Sequence, residues 1–296
     1  MWLTDARSAH EANRRSWNQA TEAHNSHKAD QAAFLRGGGS TLFPEEVKLL
    51  GELEGQSLLH LLCNCGQDTL SLANHGALVT GVDISDEAVA FARRLSEDSG
   101  VPGRFQRSDV FDFLPAARER GETYQRIFLS YGALPWVSDL QAFFRGAAEL
   151  LAPGGRLALV EFHPMVFAFD EARTLQYSYF GDGRWMVEAA GVPDYVAESG
   201  EGLAPSGQQQ GVQDFTNPHP TYEFQWSVGQ VLTAILEAGL TLKVVQELPY
   251  SNGWKMFENM LDVGNRRFAL PPEEPQLPLL LSVLAVKPQG RSAEHS

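Results

Sequence analysis

Leu58-Leu59-His60-Leu61-Leu62-Cys63-Asn64-Cys65-Gly66-Gln67-Asp68-Thr69 is the stretch whose reading decides the fold. Ser57 to Cys63 is a short apolar run of the kind buried on both faces of a parallel sheet, and Gly66, Asp68 and Thr69 then lead into a helix ending near His75-Gly76. Leu78 to Ile84 reads as a second strand carrying Asp83 near its end, with Ser85 as N-cap of a helix over Asp86 to Ser99. Arg104 to Arg107 and Tyr124 to Ser130 read as further strands. A helix over Leu140 to Leu151 is closed by Pro153-Gly154-Gly155, and Arg156 to Phe162 is a fifth strand. This alternation predicts a doubly wound parallel α/β sheet, in which ligands bind beyond the carboxyl ends of the strands. A turn that lets backbone approach a ligand, followed by a carboxylate such as Asp83, is the mark of an adenosine site, the carboxylate accepting both ribose hydroxyls. A tight turn and an ordinary solvated Asp give the same pattern.

Outward from this centre, Asp5 to Phe34 reads as helical, with Trp17, Ala20, Ala23 and His24 at helical spacing until Gly37-Gly38-Gly39. Such an arm serves as a lid or as packing. Thr41 opens a second helical segment with Pro44, Glu45 and Glu46 in its first turn. After His163 the alternation stops for about 60 residues, too long for a simple connection, so this span is expected to hold structure of its own. It is rich in aromatics (Phe167, Phe169, Tyr177, Tyr179, Phe180, Trp185, Tyr195), and its polar stretch from Glu198 to Gly211 reads as a mobile tip. Tyr222 to Trp226 and a helix over Ser227 to Ala238 follow. Two late strands, Thr241 to Glu247 and Leu279 to Lys287, are joined by an aromatic segment through Trp254 and Phe257.

Of 296 residues, 23 are Lys or Arg and 37 are Asp or Glu, a net charge of −14 that opposes binding to nucleic acid or to an anionic membrane. No nucleic-acid or membrane partner is expected. The first thirty residues lack the apolar core of a signal peptide and no apolar run is long enough to span a bilayer, so a cytoplasmic protein is expected. Cys63 and Cys65, read at a strand end, are expected to be free thiols. The strand period of two spreads His60, Cys63 and Cys65 over both faces, so no metal is expected. Gly37 to Gly39 has no following Lys-Ser/Thr and is no phosphate loop.

The ordered set of the opening stretch, Gly81-Val82-Asp83-Ile84-Ser85, Ser108-Asp109-Val110 and Leu151-Ala152-Pro153-Gly154-Gly155-Arg156-Leu157 resembles the signature of class I S-adenosylmethionine-dependent methyltransferases, over roughly Gln56 to Phe162. Dinucleotide dehydrogenases do not carry the Pro-Gly-Gly-Arg turn. The two late strands fit the family's reversed final hairpin. The resemblance implies a Rossmann-like, mostly parallel seven-stranded sheet with an antiparallel final strand, an N-terminal helical arm and an insertion after strand 5. It implies S-adenosylmethionine as cofactor, S-adenosylhomocysteine as product, and no metal. It also implies a cofactor site of Cys63, Asn64, Gly66, Asp68, Thr69, Asp83, Ile84, Asp109, Val110, Ser130 and Tyr131, with Trp17 on the closing arm. Asn64 to Gly66 would pass beneath the methionine part, Asp83 would hold the ribose, Asp109 would accept from the adenine amino group, and Ser130 and Tyr131 would face the methyl. The chain departs from the pattern at Leu62 and Asn64, where glycines are usual, and at His60, where an acid is usual; Asn64 keeps the left-handed turn and Gly66 the close approach.

Methyl transfer from a sulfonium asks for positioning, desolvation and, for a protonated acceptor, a general base. The candidate bases are His163, Tyr131 and His219, each equally readable as a packed polar residue. The aromatic insertion, with Trp136 across the mouth, suits an apolar or planar small-molecule acceptor and equally an ordinary small core. The expected organisation is an arm or lid at 1–40, a cofactor-binding core at 41–162, a substrate-cover insertion at 163–226, the rest of the core at 227–287 and a disordered tail at 288–296, in a monomer or homodimer. The alternative is a non-catalytic S-adenosylmethionine or S-adenosylhomocysteine binder of the same fold.

Overall fold

The structure is a computed structural model that describes residues 5–181 and 185–289. The arm is two helices, α1 (Ala6–Ser26) and α2 (Gln31–Arg36), where the sequence reads as one; the break falls where Asp30 turns its carboxylate onto Ala33 N–H to cap α2. Helix α3 (Pro44–Leu50) starts at its proline, later than Thr41. The alternating section follows as β1 (Ser57–Leu61), α4 (Gln67–Asn74), β2 (Leu78–Asp83), α5 (Asp86–Ser99), β3 (Arg104–Arg107), α6 (Val110–Glu119), β4 (Tyr124–Leu129), α7 (Leu140–Leu150) and β5 (Leu151–Phe162). The Pro-Gly-Gly turn lies within β5, where Gly154 N–H and Gly155 C=O pair with Lys287. The insertion holds β6 (Trp185–Glu188), α8 (Tyr195–Ser199) and β7 (Thr221–Phe224). Then come α9 (Val228–Glu237), β8 (Thr241–Leu248), β9 (Tyr250–Asn252), β10 (Leu261–Gly264), β11 (Arg267–Ala269) and β12 (Leu280–Val286).

Seven strands form one sheet in the order β3-β2-β1-β4-β5-β12-β8. All are parallel except β12, which runs antiparallel to both β5 and β8. The strand period of two divides the apolar side chains between two layers. Leu59, Leu61, Ile127, Leu129, Leu157 and Leu159 meet α6, α7 and α9 on one face, and Leu58, Val79, Phe128, Ala158 and Val160 meet α3 on the other. Among the described residues no helix is long and apolar enough to cross a membrane.

Three local expectations are corrected. Strand β1 ends at Leu61, so Cys63 and Cys65 do not alternate on a strand; they sit in a loop with left-handed residues at Leu62 (φ 54°) and Asn64 (φ 48°), and both thiols are buried and free. The stretch 198–211 is not a free tip: Ala29 N–H donates to Gly207 O at 2.8 Å, Gln209 N–H to His27 O at 2.9 Å and Val212 N–H to Ser26 Oγ at 2.9 Å, docking it on the arm. The segment between β8 and β12 is a small sheet of its own, β10-β11-β9, built from strands of three and four residues too short to show a period. Of the expected tail, residues 290–296 lie outside the described residues.

Gly66, with φ +75°, shows how tightly the loop after β1 is seated: an added Cβ would fall 2.7 Å from the Phe105 ring and 2.8 Å from Ala92 Cβ. Gly121, at φ +71°, has open space instead. Gly66→Ala is therefore expected to cost about 2–4 kcal/mol of unfolding free energy, overpacking added to left-handed strain, and Gly121→Ala about 1–2 kcal/mol from strain alone. Urea unfolding of the two variants checks this, and equal losses would contradict the packing account.

Candidate functional site

A cavity of about 1120 Å³ lies beyond the carboxyl ends of β1, β2 and β4, roofed by the arm and the insertion. Its floor is the loop after β1. The Asp83 carboxylate closes that loop from β2, accepting Asn64 N–H at 2.8 Å on one oxygen and Ser85 N–H at 2.9 Å on the other. Asn64 Oδ1 accepts Cys65 N–H at 2.7 Å, so the side chain holds the turn that its backbone makes. Burial raises the Asp83 pKa above the ordinary carboxylate value against these N–H donors. Beneath the floor, His60 bridges Thr69 Oγ1 (2.8 Å) and Ser130 Oγ (3.0 Å), and burial lowers its pKa to about 4, which keeps the imidazole neutral.

The arm is stitched to both sides of the cavity. On the core side, Asn18 Oδ1 accepts from Ser85 Oγ at 2.7 Å, Arg14 pairs with Asp86, and Asn25 Nδ2 donates to Cys65 Sγ at 3.1 Å. On the insertion side, the Asn13 amide pairs with both main-chain groups of Tyr222 at 2.8 Å, His24 meets Pro193 O at 2.8 Å and His27 meets Asp194 at 2.8 Å. Trp17 closes edge-on against Trp136, ring centroids 5.5 Å apart. Lys28 lines the cavity beside Cys65 and Asp68; its amine has no hydrogen-bond or ion-pair partner among the described residues, and burial holds its pKa below the usual lysine value.

Residues 58–155 match the family described as a methyltransferase domain. The demethylmenaquinone methyltransferase of Tropheryma whipplei is 34% identical over 122 residues, 40% of this chain and 48% of that protein. An S-adenosyl-L-methionine-dependent Diels-Alderase of Talaromyces variabilis is 38% identical over 125 residues, 39% of this chain and 40% of that protein. A solved S-adenosylmethionine-dependent methyltransferase of Mesorhizobium loti superposes with a TM-score of 0.52 at 20% identity, over 84% of this chain and 99% of the other. Residues 58–155 carry a methyltransferase domain. The chain spans about half the length, or less, of the curated relatives it matches.

Within this methyltransferase fold, Trp17, Cys63, Asn64, Asp68, Asp83, Ile84, Asp109, Val110, Ser130 and Tyr131 all line the cavity. Gly66 and Thr69 stand behind it, Gly66 against Phe105 and Thr69 fully buried on His60. Asp109 is already engaged: it caps α6 through Phe111 N–H at 2.9 Å and pairs with His10 Nδ1 at 2.7 Å, His10 being fixed in turn by Ser138 and stacked on Phe111. Burial alone would raise its pKa; the His10 contact and the Phe111 N–H outweigh that and keep it below the ordinary value.

His163 and His219 do not line the cavity. Phe162 faces the cavity, while the neighbouring His163 turns to Glu247 on β8 (2.8 Å) and accepts Met165 N–H at 3.1 Å, so both ring nitrogens are committed. His219 lies in the approach to β7, its N–H donating to Asn217 at 3.1 Å. The sequence reading missed Lys28, Asn252, Trp254 and Arg266, which line the cavity from segments distant in the chain, and Glu46, which lies just behind the wall. Only the charge of Glu46 on an otherwise apolar helix face hinted at it.

His24 is buried and its pKa is lowered to about 4 by that burial. Because the folded value lies below the unfolded one, its contribution is present above pH 6.5 and is lost as the pH falls toward 4. Between pH 7 and pH 5, His24→Gln is expected to lose on the order of 2 kcal/mol less unfolding free energy than the unmodified chain. Urea titrations at the two pH values check this, and parallel losses would contradict it.

Proposed function

We propose that this protein binds S-adenosylmethionine and transfers its methyl group to a small-molecule acceptor, with S-adenosylhomocysteine as product. The observation that carries the reading is the pairing, in one cavity, of the Asp83 carboxylate at the end of β2 with the Lys28 amine, which has no partner among the described residues and lies beside Asp68. Asp83 is poised to accept a ribose diol. Lys28 and Asp68 would meet the carboxylate and ammonium of the amino-acid end, as an unpaired buried cation asks for an anion. Val110 and Ile84 would flank the adenine and Ser130 and Tyr131 the methyl, with Asn64 to Gly66 beneath the methionine chain. Asp109 would reach the adenine amino group only by sharing its carboxylate with His10. When bound, the cofactor supplies a methyl group on an activated sulfonium.

The cavity exceeds the roughly 300–1,000 Å³ that usually holds one small ligand, which leaves room for an acceptor beside the cofactor. Residues 1–40 and 163–226 form the cover and 41–162 with 227–287 the core of this reading. The site's chemistry involves no metal, the partner is the small acceptor, and the setting is cytoplasmic. The Diels-Alderase name of the relative from Talaromyces variabilis favours a second reading, in which the cofactor is held and its methyl group is not transferred.

Calorimetric titration with S-adenosylmethionine, S-adenosylhomocysteine and NAD tests the cofactor. Heats from the two sulfur ligands alone are expected, with Asp83→Asn weakening both by about 2–3 kcal/mol, roughly 30- to 150-fold. Silence from both sulfur ligands overturns the reading. Binding without S-adenosylhomocysteine formation from any acceptor selects the second reading.

A further inference from the structure

Glu46, in the first turn of α3, is 1% exposed and has no ion-pair partner among the described residues. One of its oxygens accepts Phe43 N–H at 2.9 Å, the ordinary work of a helix start. The other accepts the Tyr131 hydroxyl. Tyr131 Oη itself accepts from Asn252 Nδ2 at 2.8 Å, so the phenol is held with its proton on Glu46 and a lone pair still free. Tyr131 and Asn252 line the cavity, with Glu46 just behind them. A carboxylate taken out of water costs several kcal/mol, and capping one N–H does not need it.

The charged groups facing Glu46 come from three directions. Asp68 on α4 and Glu45 on α3 oppose its ionisation. Arg266, from the β10–β11 turn, favours it from farther off, its guanidinium held by the carbonyls of Thr41 (2.8 Å) and Leu42 (3.3 Å) over the Phe43 ring. Burial first, then Asp68, pushes Glu46 up to about 8, while burial and the adjoining Glu46 hold the Tyr131 phenol well above its usual value. The pair therefore stores or releases one proton close to neutral pH. Tyr131 also stands in an aromatic wall: Phe162 lies 5.3 Å from its ring, and Trp254 lies 4.8 Å from Phe162.

We propose that the acceptor is a planar phenol or enol lying against the Phe162–Trp254 wall, and that its hydroxyl proton passes to Tyr131 Oη as Tyr131 hands its own proton to Glu46. This rests on the methyl-transfer reading above. The electron pair freed on the acceptor takes up the methyl group, the donor sulfur keeps the pair of the broken C–S bond, and Glu46 ends neutral. Tyr131 is the catalytic residue and Glu46 a positioning residue that acts through it. An acceptor without a proton to lose, such as a tertiary amine or a thioether, has no use for the pair.

The test is S-adenosylhomocysteine formation from S-adenosylmethionine with 2-naphthol and 1,4-naphthalenediol as acceptors and a tertiary amine and a thioether as controls, from pH 6 to pH 9. With at least one phenol, kcat/KM is expected to rise about tenfold per pH unit below pH 8 and to level off above it. Glu46→Gln should remove that limb and lower the plateau by roughly 10²–10³, Glu46→Asp should restore part of it, and Tyr131→Phe should match Glu46→Gln. Calorimetric affinity for S-adenosylhomocysteine should be unchanged in Glu46→Gln, and its urea unfolding should show no loss of stability, because the amide oxygen still accepts Phe43 N–H and the neutral side chain avoids the cost of burying a carboxylate above its unfolded pKa. An unaltered pH limb in Glu46→Gln, turnover of the amine or thioether alone, or turnover of no phenol by protein that binds the cofactor overturns the proposal. Failure to bind the cofactor overturns the methyl-transfer reading instead.

Discussion

The Asp83 carboxylate, accepting Asn64 N–H on one oxygen and Ser85 N–H on the other, is the constraint on which the cavity depends. Leu62 and Asn64 are both in the left-handed region, a conformation that costs about 1–2 kcal/mol for a residue other than glycine. The loop keeps it because Asp83 binds it from β2, Asn64 caps it from within, and Phe105 and Ala92 fill the space over Gly66. Two glycines of the usual pattern are thus replaced by side chains without loss of the turn.

The second dependence is between cover and core. Helix α1 has few large apolar side chains to bury, and its attachment is mostly polar and directional: Asn13 pairs with a strand's backbone as another strand would, and His10, Asn18 and His27 each reach a specific oxygen. Directional contacts of this sort hold one geometry rather than a sliding range of them. They also commit the Asp109 carboxylate to the arm through His10, at the edge of the cavity.

The central sheet was legible because most of its strands are short apolar runs between turn residues, and because a capping side chain such as Ser85 marks where a helix begins. The side of the cavity built on the ends of β1, β2 and β4 was legible for the same reason, since its residues follow strands directly. His163 was misread because alternation along β5 puts Phe162, not its neighbour, on the cavity side, and one residue of phase decides which. The β9–β11 sheet was invisible because three- and four-residue strands have no period to detect.

What the sequence by itself determined is therefore local: the order of strands and helices, the loop after β1, the acid at the end of β2 and the family they resemble, each piece set by a pattern within its own short segment. Only the tertiary structure decided which side chains share the cavity wall. Glu46, Tyr131 and Asn252 come from α3, the end of β4 and β9, and Lys28 comes from the arm. Their association is a matter of packing between segments far apart in the chain, where burial sets their protonation and no pattern along the sequence records it.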